Sequence, residues 1–343
     1  MHTVYSERHK LRDAQTELDG GVFVRPYECP ERAEIILARV REQELGPVVA
    51  PTVFGLDPIL AIHDANYVDF LRDCWRDWVT AGHKGEAIAT SWPSRRMPRD
   101  VAPRNIDGRI GYYCLAADTT ITEGTWDAAL AAADVTLTAQ AMVAGGERAA
   151  FALTRPPGHH AAQDMFGGYC FLNNAAIAAQ AFRDGGARRV AILDIDFHHG
   201  NGTQAIFYDR DDVLFLSIHG DPDDAFPYFL GGADEIGVGA GEGLNVNYPL
   251  PEGCPFDRWA AALEDTCARI HAFAPDALVV SLGVDTFKDD PISFFRLESA
   301  DFLRIGERLS GLALPTLFVM EGGYAVAEIG INTVNVLEGF ENA

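Results

Sequence analysis

The chain reads as a single α/β domain, 1–343, built on an open, mostly parallel β-sheet flanked by helices on both faces. Three observations predict this class. Short apolar, β-rich runs alternate with helical stretches, the signature of strand–helix–strand units. The runs are continuously apolar rather than alternating, as central strands covered on both faces must be. Clusters rich in His, Asp and Tyr follow the runs, where open parallel sheets place their ligands. Hydrophobic residues at 48% and charged residues at 22% exclude disordered, collagen-like and coiled-coil chains.

The runs are Arg148–Leu153, Arg189–Ile195, Val213–Ile218, Ala277–Leu282 and Thr316–Met320. Helices are expected over Trp126–Val143 and over the alanine-rich Asn174–Arg183, which meets a stop at Gly185-Gly186. Asp257–Ala272 carries Trp259, Leu263 and Ile270 at near-helical spacing, and Ala300–Leu312 reads the same way. Gly82–Tyr113 breaks the pattern with Pro93, Pro98 and Pro103 and with Arg95, Arg96 and Arg99. An insertion this long is expected to be a functional loop. Its arginines are expected to pair with acidic surface, on this chain or on a second subunit.

Lys and Arg total 27 against 50 Asp and Glu, a net charge of −23. Such a field repels phosphate and anionic lipid and attracts cations. Nucleic acid and membrane partners are therefore excluded, and a cationic small molecule is favoured. The N-terminus lacks a signal-type apolar core, and the apolar runs are too short to span a bilayer. Six scattered cysteines with no C-x-x-C pair read as free thiols. The expected location is cytoplasmic.

Five clusters carry the chemistry: Arg155–His160, Asp194–Gly202, Ser217–Asp221, Gly283–Asp285 and Glu321–Tyr324. Asp196 and His198, two apart, would share one face of an extended strand. With Asp285 from another strand they offer two carboxylates and one imidazole, a set that leaves metal positions open for substrate. His159 and His160 follow the rigid turn Pro156-Pro157-Gly158 and suit acid–base work on one water. Tyr324, after Gly322-Gly323, is placed to donate to a developing oxyanion.

RPPGHHA (Arg155–Ala161), MFGGYCFLNN (Met165–Asn174), LDIDFHHGNGTQ (Leu193–Gln204), SLGVDTF (Ser281–Phe287) and MEGGY (Met320–Tyr324) stand in family order. On these residues the chain resembles the histone deacetylase-like amidohydrolases of the arginase–deacetylase fold. KGEAIATSWPSRR (Lys84–Arg96), DGRIGYYC (Asp107–Cys114) and HGDPDDAFPYFLG (His219–Gly231) are similar to the bacterial acetylpolyamine amidohydrolases.

The resemblance implies Asp196, His198 and Asp285 as ligands of one Zn²⁺, for which Fe²⁺, Co²⁺ or Mn²⁺ could substitute. It implies His159 and His160 as base and acid, Tyr324 as the carbonyl-polarising group, and Asp194 and Asn201 as the partners that orient the two histidines. An Asn at 201 should leave His160 less basic than an Asp would. Gly168, Tyr169, Phe226, Ile292 and Gly322 are implied as substrate contacts, and Asp107 and Asp118 as carboxylates facing a distal amine. Asp194, Asp196, His198, Ser217 and Ile218 are implied as a K⁺ or Na⁺ site. The segment at about 82–113 is implied to build a homodimer and narrow the tunnel.

The implied reaction is hydrolysis of the acetyl amide of acetylated polyamines to acetate and free amine. Acetyl-lysine deacetylation and a non-catalytic ligand-binding role are the alternatives. A binuclear ureohydrolase is disfavoured by Gly200 and Phe287, which stand where further carboxylates would be needed. His63 and His199 are expected to be structural. His9 lies in a segment expected near the site, and His2, His83 and His271 have no evident partner. Trp75, Trp78 and Trp126 read as packing.

Overall fold

In a computed structural model, which describes residues 1–94, 96–97 and 101–343, the apolar runs become the centre of an eight-stranded sheet whose pairings are all parallel. The strands are β1 (His2–Val4), β2 (Glu17–Asp19), β3 (Val22–Val24), β4 (Val48–Val49), β5 (Ala149–Ala152), β6 (Val190–Asp194), β7 (Val213–Gly220), β8 (Asn245–Leu250), β9 (Ala277–Leu282) and β10 (Thr316–Met320). The helices are α1 (Pro30–Glu42), α2 (Asp57–Leu60), α3 (Ala65–Thr80), α4 (Ile106–Tyr112), α5 (Thr125–Ala144), α6 (Asn174–Asp184), α7 (Asn201–Phe207), α8 (Phe256–Phe273), α9 (Ser299–Ser310) and α10 (Ile329–Asn342). The spatial order is β4-β1-β5-β10-β9-β6-β7-β8, and β2 and β3 form a separate antiparallel hairpin.

The continuous apolar character of the central strands is explained by two cores. In β6, Val190 and Ile192 join one apolar cluster and Ala191 and Leu193 the other. In β10, Leu317 and Val319 face one side, and Phe318 and Met320 the other. Residues of α3, α5 and α6 cover the first face (Phe70, Leu137, Ile177), and residues of α1, α8, α9 and α10 cover the second (Ile36, Trp259, Phe302, Val334). Each fully buried Val, Leu, Ile or Phe contributes roughly 1.5–3 kcal/mol, so both faces of every central strand are needed.

All five expected strands and all four expected helices are present, with ends moved by one or two residues. The Asn174 helix ends on Gly185, with Gly186 at φ +103°. Two expectations need correction. Gly82–Tyr113 is not wholly irregular: Ile106–Tyr112 is helical, started by the Asn105 side chain accepting from the Asp107 N–H, with Ile106 and Ile110 buried. Two turns are too few to display a period. Arg95, Pro98 and Arg99 of that segment lie outside the described residues. Second, His83 does have partners: it stacks on Trp78 at 3.8 Å and lies 2.9 Å from Asp107. Strand β8 has no apolar run to announce it, because NVNYPL is an edge strand with polar positions and a proline.

Candidate metal centre and substrate pocket

The five chemical clusters all lie at or just beyond the carboxyl ends of parallel strands: β5, β6, β7, β9 and β10. Because the strands are parallel and adjacent, their ends open on one rim.

Asp194 is the last residue of β6, so Asp196 and His198 lie just beyond the strand rather than on one of its faces. That corrects the alternation argument but not its result. Asp196, His198 and Asp285 converge, with ligand atoms within 4.8 Å of one another and all three buried. His198 Nδ1 is 3.1 Å from Asp285 Oδ2 and 3.4 Å from Asp196 Oδ1. The outer oxygens are held by backbone: Asp196 Oδ2 accepts from the Gly322 N–H at 2.7 Å, and Asp285 Oδ1 from the Phe197 N–H at 2.7 Å.

Burial and the Asp196 charge push Asp285 up to about 8. Burial opposes a charge on His198, but Asp196 and Asp285 outweigh it and raise the imidazole to about 10. Two buried carboxylates meeting one ring nitrogen call for a cation at their centre, and the oxygen–nitrogen donor set fits a divalent metal. A β-carbon on Gly322 would lie 2.5 Å from both Asp196 Oδ2 and Asp285 Oδ2, so only glycine fits there. Gly322 thus touches the Asp196–Asp285 carboxylate pair rather than the pocket wall.

The tandem histidines stand beside this centre, ring centroids 4.0 Å apart. His159 Nδ1–H donates to Asp194 Oδ2 at 2.9 Å, and His160 Nδ1–H donates to Asn201 Oδ1 at 2.6 Å. The Asn201 amide nitrogen in turn donates to the His160 carbonyl, which fixes its orientation. Both rings therefore present Nε2 to the site. The two differ in basicity: burial opposes charge on His159, but Asp194 and Asp196 raise it well above its usual value. Burial and the neighbouring imidazoles hold His160 well below its usual value, and the Asn201 hydrogen bond offsets this only in part.

A pocket of about 300 Å³ opens onto these residues. Its lining includes His160, Gly168, Tyr169, His198, Phe226, Ile292 and Tyr324, as well as Asp118. Gly168, at φ +52°, lies so close to His160 that a β-carbon would meet the ring at 2.3 Å. Asp107 is not in this wall: it is an exposed residue of α4 paired with His83. Nor is the His9 side chain, which is buried against Tyr5 and Glu34. Ser217 and Ile218 lie on β7 beside β6, with Ser217 in register with Asp194. His63 and His199 are structural, as expected: His63 joins Ala162 to Asn173, and His199 meets Gln204.

Sequence reading missed several contributors. Glu17 on β2 lines the pocket and accepts from the Tyr169 hydroxyl at 2.6 Å; burial lifts it to about 7. Glu28 is fully buried and binds Arg155, Arg32 and Arg12, which anchors the base of the histidine loop. Glu321 accepts from the Gly158 and His159 N–H groups. A lone carboxylate carries no periodic signal, so only Glu321, inside a quoted motif, could have been flagged.

The model of the histone deacetylase domain matches residues 26–340. Acetylpolyamine amidohydrolase 1 of Pseudomonas aeruginosa is 60% identical, covering 100% of this chain and 99% of its own. Acetylpolyamine amidohydrolase of Mycoplana ramosa is 56% identical, covering 99% of each. A crystal structure of acetylpolyamine aminohydrolase from Burkholderia pseudomallei superposes with a TM-score of 0.95 at 40% identity, over 99% of this chain and 98% of that one. The chain belongs to the histone deacetylase domain family, as a deacetylase-type amidohydrolase.

Proposed function

We propose that this chain hydrolyses the acetyl amide of acetylated polyamines, of the acetylputrescine, acetylcadaverine and acetylspermidine type, to acetate and free amine. One observation carries the reading: a buried Asp196–His198–Asp285 centre lies at the base of a small pocket whose lining includes four carboxylates, Glu17, Asp19, Asp118 and Asp224. A slim chain bearing ammonium groups matches that charge, and the aromatic walls Tyr169 and Phe226 favour it by cation–π attraction. The 56–60% identity to acetylpolyamine amidohydrolases supports the same substrate class.

The metal is best read as Zn²⁺, with Fe²⁺, Co²⁺ or Mn²⁺ as possible substitutes. When bound it supplies Lewis-acid polarisation of the acetyl carbonyl and a more acidic water. The chain's own groups do the rest. His160, neutral and with Nε2 turned to the pocket, accepts the proton of the attacking water, taking the base role that the resemblance gives to His159. His159, held charged by Asp194, provides the positive potential beside it. The protonated histidine then returns a proton to the departing amine nitrogen. Tyr324 donates to the carbonyl oxygen as negative charge develops there.

Asp194, Asp196, His198, Ser217 and Ile218 are read as a K⁺ or Na⁺ site at the β6–β7 rim. The 82–113 segment is read as a homodimer contact, and a role for Asp107 at a substrate site depends on that dimer. The six cysteines are all unpaired, which suits a reducing, cytoplasmic setting. No helix among the described residues is long and apolar enough to cross a membrane.

The test is a panel of acetylated diamines and polyamines against acetyl-lysine peptides, run on chelated and remetallated enzyme with metal content measured. Turnover of the amines that follows metal content supports the reading. Faster turnover of peptides, or rates independent of metal, overturns it.

A further inference from the structure

We propose that Asp290 is the positioning residue that fixes Tyr324 over the site. The inference rests on the function proposed above. β10 ends at Met320, and the segment after it is pinned as far as the Gly323 carbonyl: the Gly322 N–H binds Asp196, its carbonyl accepts from Val284, and the Glu321 and Gly323 carbonyls accept from Arg32. Gly323 then turns at φ +132°, and α10 does not begin until Ile329. Neither sheet nor helix holds Tyr324, and the glycine before it constrains the backbone least of all residues.

Asp290 fills that gap. Its side chain is buried, at 6% exposure. One oxygen, Oδ2, accepts from the Tyr324 N–H at 2.7 Å and from the Ala325 N–H at 3.1 Å. The other, Oδ1, accepts from the Ile292 N–H at 3.2 Å. Ile292 and Tyr324 both line the substrate pocket; Asp290 does not. A single carboxylate thus ties the phenol-bearing loop to the loop that follows the ligand Asp285. From above, the Arg32 guanidinium lies 4.7 Å from the Tyr324 ring centre, so the residue is held at its backbone by an anion and at its ring by a cation. Charge-assisted bonds from a carboxylate to backbone N–H groups are about twice as strong as neutral ones. An amide in its place keeps one acceptor oxygen and turns an NH₂ group towards N–H donors.

Because Asp290 acts through Tyr324, its effect must vanish when the Tyr324 hydroxyl is gone, and contacting residues that work as a unit are non-additive. The test is a cycle of wild type, D290N, Y324F and D290N/Y324F, assayed on acetylputrescine with metal content measured for each. D290N is expected to lower kcat at least tenfold with KM within twofold and metal retained. In the Y324F background the same change is expected to alter kcat less than twofold. Equal losses in both backgrounds, or unchanged kcat in D290N, overturn the proposal. Hydrogen exchange of the 321–326 segment gives a readout free of activity: at least tenfold faster exchange in D290N is expected, and unchanged exchange overturns the proposal. If wild type with metal shows no turnover, the function reading fails while this measurement still stands. Should D290N not fold, D290E, which keeps both oxygens but misplaces them, carries the same cycle and the same exchange comparison.

Discussion

The Tyr324 phenol and the Glu17 carboxylate sit on the same pocket but ask for different assays. Tyr324→Phe removes one donor to the developing oxyanion, an interaction worth about 3–4 kcal/mol in other enzymes. kcat is expected to fall by about two orders of magnitude, with bound metal unchanged on elemental analysis. Glu17→Gln removes a charge from the pocket wall, so on the proposed function KM for acetylspermidine should rise while kcat holds. The pH dependence has a definite sign. Burial lifts Glu17 to about 7, so it gains a proton and loses its charge as pH falls through that value. KM for cationic substrates should therefore rise below pH 7 in wild type, and Glu17→Gln should flatten this dependence. A flat wild-type KM between pH 8 and 6 would remove Glu17 from substrate binding. The two residues also differ in how far sequence reveals them. Asp196 and His198 stand within three positions after an apolar run, so they could be read directly. Glu17, on the β2–β3 hairpin, and Asp290, on a loop, reach the site only in three dimensions, and a solitary carboxylate looks the same in a solvated turn.

Helix α3 and the loop before it depend on a histidine that must stay uncharged. His63 donates from Nδ1 to the Ala162 carbonyl at 2.9 Å and accepts at Nε2 from the Asn173 N–H at 2.9 Å. Protonation would set N–H against N–H, and burial pulls the imidazole down to about 4. An unfolded histidine titrates near 6.5, so this group's stabilisation is complete above that pH and is lost as pH falls towards 4. The expected slope approaches about 1.4 kcal/mol per pH unit. Urea midpoints at pH 7 and pH 5 test it: His63→Gln should lose less between the two than wild type does, and parallel losses would refute the assignment. Elements of this kind also mark where sequence reading works. The five central strands are readable because burial on both faces leaves few polar positions, most of them near the strand ends. β8 hides because it lies at the edge and alternates, and α4 because two turns show no period.

The net charge of −23 acts on the molecule as a whole. A negative field concentrates cations near the pocket, and salt screens it: the Debye length shrinks from about 30 Å at 0.01 M to about 8 Å at 0.15 M. Raising ionic strength over that range should increase KM for acetylspermidine several-fold and leave kcat unchanged. A neutral acetanilide-type substrate should show no such change. Equal salt effects on both would assign the dependence to something other than charge attraction.

Every side chain of the proposed reaction follows the carboxyl end of a strand. The turns feeding the amino ends of the central strands, such as Gly146-Glu147, Arg188-Arg189 and Asp211, are exposed and take no part in the chemistry. That polarity makes the molecule naturally suited to oriented attachment. A cysteine or tag grafted onto those turns would fix the protein to a bead or electrode with its tunnel facing outward, open to the flow.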